Sequence, residues 1–63
     1  MAAKQLYQLE SKYQLSPGAY VAVNGPWDTF GRVQSSTLQP NGKYLNLIRG
    51  CEKVAGEKPV ASW

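Results

Sequence analysis

The side chains able to do covalent chemistry are few in this 63-residue chain. It has one cysteine, Cys51, and no histidine. Nucleophilic catalysis of the Ser-His or Cys-His kind needs an adjacent base, and histidine is not there to supply it. Cys51 stands beside Glu52, and the nearby cations Lys53 and Arg49 form no run that would lower its pKa. A single cysteine makes no intramolecular disulfide and is too little for a Cys/His metal site. The acids are Glu10, Asp28, Glu52 and Glu57, and no sequence feature pairs two of them as glycoside hydrolysis would require. None of the six glycines forms a phosphate-cradling motif. The expectation is a protein that is not an enzyme and needs no cofactor or metal.

Binding surface is better supplied. The aromatics are Tyr7, Tyr13, Tyr20, Trp27, Phe30, Tyr44 and Trp63, more than so small a core can enclose. Trp27 stands in the stretch NGPWD, where Pro26 lacks the N–H that a tight Asn24-Gly25 hairpin turn would need. The chain is therefore expected to bulge there and carry the indole to the tip of an open loop. Trp27 then either anchors a partner, as tryptophan does in contact hot spots, or folds back as a plug. Tyr20 and Tyr44, with Arg32, Lys43 or Arg49 nearby, read in two ways. They form a stacking platform for bases, or they are cross-strand packing partners. The expected partner-binding set is Trp27, Tyr20, Phe30, Arg32, Tyr44 and Arg49. Trp63 either packs back on the domain or is presented to a partner.

Charge adds a weak direction. Seven Lys and Arg against four Asp and Glu give +3, a sign that suits nucleic acid or an acidic protein surface. The basic residues stand singly, without the clustering of a dedicated phosphate binder.

The elements that must position these residues centre on Thr29 to Gly50. Pro40-Asn41-Gly42-Lys43 is a turn signal between two strand-length runs, Arg32–Gln39 and Tyr44–Arg49, so a hairpin turning at Asn41-Gly42 is expected over residues 29–49. Apolar groups on both faces of the second run suggest a central strand, or a bulge near Leu47-Ile48. Unbroken alternation would put Val33, Ser35 and Thr37 on one face and Arg32, Gln34, Ser36 and Leu38 on the other. Ala19 to Val23 reads as a strand, with Val21 and Val23 on one side. Before it, residues 3–15 are rich in helix formers, and Leu6, Leu9 and Tyr13 at i, i+3 and i+7 suggest a helix ended by Ser16-Pro17-Gly18.

The expected fold class is therefore α+β. An N-terminal helix 3–15 precedes a strongly bent antiparallel sheet of three to five strands over 19–55. Residues 1–56 make a single small domain and 57–63 an extended C-terminal tail. The outline resembles an SH3-like barrel in architecture. No signal-like or membrane-spanning run is present, and with an unpaired cysteine a cytoplasmic setting is the default. The function these features suggest is a protein-protein interaction module: an accessory subunit, adaptor or inhibitor that grips another protein through an aromatic loop and a sheet face. The alternative is a small-barrel nucleic-acid-binding protein, with scattered Lys and Arg on phosphates and Tyr and Trp stacking on bases. Exposed strand edges also make a homodimer an option.

Overall fold

A computed structural model of the chain describes residues 6–24 and 28–63. Its centre is the hairpin formed by β3 (Asp28–Leu38) and β4 (Tyr44–Cys51). Gln39 O accepts from Gly42 N at 3.0 Å, and Gln39 N donates to Lys43 O at 2.8 Å. Gly42 has φ +85°, while Asn41 keeps a negative φ. Pro40 and Asn41 thus make a type I turn, and glycine alone carries the left-handed step that closes it. Asn41 Oδ1 accepts from Lys43 N at 2.9 Å and holds the turn.

One residue breaks the alternation of β3. Val33 pairs with Ile48 but Ser35 pairs with Leu47, so Gln34 is an extra residue, a β-bulge opposite Leu47-Ile48. The bulge reverses the expected facing beyond it. Val33 shares a face with Ser36 and Leu38, which pair with Ile48, Asn46 and Tyr44 along one side of β4. Ser35 and Thr37 go to the other face with Arg32. Bulges increase local twist, and here the bulge bends the sheet where it curls.

The expected N-terminal helix is not formed, and the α+β class is corrected. The described elements are all strands, in the sheet order β1-β4-β3-β2, every pair antiparallel. Residues 6–15 of the expected helix become β1 (Leu6–Ser11) and the start of the loop that follows it; residues 3–5 lie outside the described residues. β1 pairs with β4 from Leu6↔Arg49 to Ser11↔Tyr44, and its exposure alternates. Tyr7 and Leu9 pack toward the core, and Gln8 and Glu10 point to water. Helix propensities differ by less than ~1 kcal/mol per residue among such side chains. That margin is small beside pairing the free edge of a central strand and covering Ile48 with Tyr7. The period-2 pattern of Tyr7-Gln8-Leu9-Glu10 therefore overrides the i, i+3, i+7 stripe. The curled sheet fits a small barrel.

The core lies on the concave face, where Val21 and Ile48 are fully buried and Val33 is 1% exposed. Tyr7, Leu9, Leu15, Ala19, Ala61 and Trp63 pack around them. β2 (Tyr20–Asn24) supplies Val21 and pairs with Asp28–Arg32 of β3. Past Arg32, the outer edge of β3 bonds instead to the incoming loop: Gly18 N to Val33 O at 2.7 Å and Val33 N to Ala19 O at 3.0 Å. Asn46, fully buried beside this core, donates through Nδ2 to Leu9 O at 3.0 Å and to Ser11 Oγ at 2.9 Å, fixing β1 against β4. Its Oδ1 has no hydrogen-bond partner.

Residues 60–63 run beside β2 in parallel. Val60 N donates to Tyr20 O at 2.9 Å, Ala22 N to Ala61 O at 3.0 Å, and Trp63 N to Ala22 O at 3.0 Å; Asn24 N donates to Trp63 O. The alternation of Val60-Ala61-Ser62-Trp63 turns Ala61 and Trp63 to the core and leaves Val60 and Ser62 exposed. The Trp63 indole spans the open side of the sheet, and its Nε1 donates to Glu10 O on β1 at 2.8 Å.

Candidate functional site

The convex face of the sheet carries most of the residues expected to bind. Tyr20, Phe30, Arg32, Arg49 and Cys51 share it, because Tyr20 pairs with Arg32, Arg32 with Arg49 and Phe30 with Cys51. Tyr20 and Phe30 stack in parallel, with ring centroids 5.5 Å apart. The Arg32 guanidinium carbon lies 5.0 Å from the Tyr20 ring centre, within cation–π range.

This cluster is only partly available to a ligand. Tyr20 is 2% exposed. The connecting segment after β4 folds across it, and Val54 N donates to the Tyr20 hydroxyl at 2.9 Å. Arg32 is held as well: it donates to both Glu57 carboxylate oxygens at 2.8 and 2.7 Å and to Gly18 O at 3.1 Å. The fork-to-fork geometry is the strong form of this pair. The Arg32 hydrogen bonds hold the Glu57 carboxyl below its ordinary range, and Glu57 raises Arg32 further. Tyr20 and Arg32 are thus the inner layer of the face.

What stays open lies beside them. Thr29, Phe30, Cys51, Glu52 and Lys53 line an open groove of about 480 Å³ where β3 begins and β4 ends. The half-buried Phe30 ring contributes its apolar floor, and the exposed Glu52 and Lys53 put opposite charges on its rim. Thr29 is fixed by its hydroxyl, which donates to Val23 O at 2.8 Å. Arg49 is exposed on the same face and has no ion pair among the described residues. Trp27 lies outside the described residues. Tyr44 does not join the group: it is half-buried at the turn end of the hairpin, on the concave side with Leu38 and Ser11 as pairing partners.

The groove can take an apolar side chain on Phe30 and satisfy one charge of either sign at its rim. Among the described residues no three His, Cys, Asp or Glu side chains gather to hold a metal ion. No described helix is long and apolar enough to cross a membrane. The placement of Glu52 and Lys53 at this groove is not legible in the sequence, because only the pairing of Phe30 with Cys51 brings the chain after β4 to the start of β3. Comparison with known proteins finds no matching family, no matching curated protein and no matching solved structure.

Proposed function

We propose that this protein is a non-enzymatic interaction module that grips another protein at the groove over Phe30 and along the adjoining Arg49 face. The observation carrying this reading is the groove itself: an apolar aromatic floor, a rim of one acid and one base, and beside it Arg49, which has no ion pair among the described residues. That combination suits a peptide or a protein loop presenting an apolar residue flanked by charge. The nucleic-acid alternative is less well supported. A stacking platform needs exposed rings and available cations, whereas Tyr20 is buried and Arg32 is occupied by Glu57.

The experiment compares wild type with an Arg49→Glu/Lys53→Glu double variant, both immobilised and exposed to host lysate. Both side chains are exposed, so the fold persists. A protein retained by wild type and reduced at least about tenfold on the variant supports the reading, that ratio being about 1.4 kcal/mol. Equal retention on both overturns it. A labelled single-stranded oligonucleotide, titrated at about 50 and 200 mM salt, tests the alternative, since phosphate contacts make affinity fall steeply with salt.

A further inference from the structure

The edge of β2 is already occupied by an extended segment, and that segment is the chain's own C-terminal stretch. Its hold has three parts. Backbone bonds run from Tyr20 to Asn24, Ala61 and Trp63 fill the side of the core, and the indole N–H reaches across to Glu10 O. Together they define a slot with a readable preference: an extended strand, parallel to β2, bearing a small residue and then tryptophan two positions on. The connector leading into the slot is loosely tied. Residues 52–59 are all exposed. Gly56 turns there with φ +83°, and Glu57 N bonds back to Val54 O at 3.3 Å. Its described side-chain ties to the sheet are Val54 to Tyr20 and Glu57 to Arg32.

We infer that the β2 edge with its Trp63 notch is a strand-accepting site, and that its second occupant is residues 60–63 of another copy of this chain. A tail entering from a second copy makes the same backbone bonds, the same core contacts and the same indole bond. The two arrangements therefore differ chiefly in whether the tail is tethered. For a short flexible tether the effective concentration is on the order of millimolar, so exchange between copies competes only when chains are that crowded or when the tail is weakened. This site is not the groove over Phe30, although Glu52 and Lys53 on the rim of that groove begin the connector that leads to it. Donating and accepting one tail each closes a two-fold pair.

The probe is a labelled peptide, EKPVASW, with the sequence of residues 57–63. Full-length Trp63→Ala, whose own tail is loosened, is expected to bind it at least about tenfold more tightly than wild type does, because the tethered competitor is weakened. The same peptide with alanine for its tryptophan is expected to bind neither. A Trp63→Ala chain that melts cooperatively yet binds the peptide no better than wild type overturns the proposal. Should Trp63→Ala fail to melt cooperatively, wild type decides. It is refolded at about 1 mM, near the effective concentration of the tether, from an equal mixture of isotope-labelled and unlabelled chains. Native mass spectrometry should then show a mixed dimer that excess peptide suppresses. Monomer alone, or a dimer the peptide leaves unchanged, overturns the proposal.

Discussion

Gly31→Ala should destabilise this protein, although adding a methyl group to a glycine in a strand is ordinarily favourable. Gly31 sits in β3 between Val21 of β2 and Gly50 of β4. A Cβ built there would overlap Ile48 Cγ2 and come within 2.9 Å of Arg49 O and 3.4 Å of Arg49 C. Neither neighbour gives way easily. Cγ2 is fixed to the Cβ of a fully buried side chain, and the carbonyl belongs to the ladder of β4. Losing the chain entropy of glycine in the unfolded state favours alanine by ~0.4–1 kcal/mol. Overpacking a tight core costs ~1–3 kcal/mol. The overlap falls on backbone and on a branched core side chain, so the cost takes the upper part of that range, and the net loss is about 2 kcal/mol. That is close to half of the ~3–5 kcal/mol a domain this small has in hand. It corresponds to a melting temperature lower by roughly 8–16 °C. Urea unfolding and a thermal melt read both quantities. Adding Ile48→Leu, which removes the branch at Cβ, should restore part of the loss but not all, because the Arg49 carbonyl remains. A Gly31→Ala protein as stable as wild type, or one made worse by Ile48→Leu, would refute the reasoning.

Tyr20→Phe keeps the ring stack but strips the acceptor from Val54 N, and should cost ~1 kcal/mol in urea unfolding; no change would mean that water replaces the bond freely. Asn46→Asp places a carboxylate at a fully buried position facing the Leu9 carbonyl. It should cost about 3 kcal/mol or more at neutral pH. Burial raises the pKa of that new group, so the variant should gain stability between pH 7 and about pH 5 as it protonates, which comparing melts at the two values checks. Glu57 and Glu10 run the other way. Arg32 lowers the first, and Gln39 with Asn41 lowers the second, both from 4.5. A depressed carboxyl contributes stability above its unfolded pKa and loses it as pH falls through the folded value. The melting temperature should therefore hold down to about pH 5 and decline below it, and Glu57→Gln should decline less steeply. Identical acid profiles for the two proteins would remove Glu57 from the account.

Local signals reached the parts of this fold that depend on local geometry. Pro40-Asn41-Gly42 named the turn, and apolar residues on both faces of Tyr44–Arg49 suggested a central strand, which β4 is, or a bulge near Leu47-Ile48. The bulge fell across the hairpin at Gln34, whose position no side-chain pattern betrays, and so the facing of Ser35 to Leu38 came out reversed. Residues 6–15 misled because Gln, Glu, Lys and Leu favour helix only slightly, while the need of β4 for a second neighbour is tertiary and invisible locally. Of the expected binding residues, Tyr20, Phe30, Arg32 and Arg49 do gather on one face, since the period of two along paired strands is readable. Their burial was not. Glu57 and Val54, which cover Tyr20 and occupy Arg32, arrive from a segment with no pattern of its own, and Tyr44 is separated from Arg49 by the alternation of β4, which turns the two to opposite faces.

The bond from the Trp63 indole to Glu10 joins residues 53 apart along the chain. Closing so long a loop costs entropy before any contact repays it, whereas the β3–β4 hairpin closes over a five-residue turn. The hairpin is then the natural nucleus, with β1 and β2 adding to its two sides and the tail seating last. Contacts made after the rate-limiting step set how fast a protein comes apart rather than how fast it forms. Trp63 therefore governs the lifetime of the folded state: weakening it should steepen escape from the native basin while leaving the approach to it almost untouched.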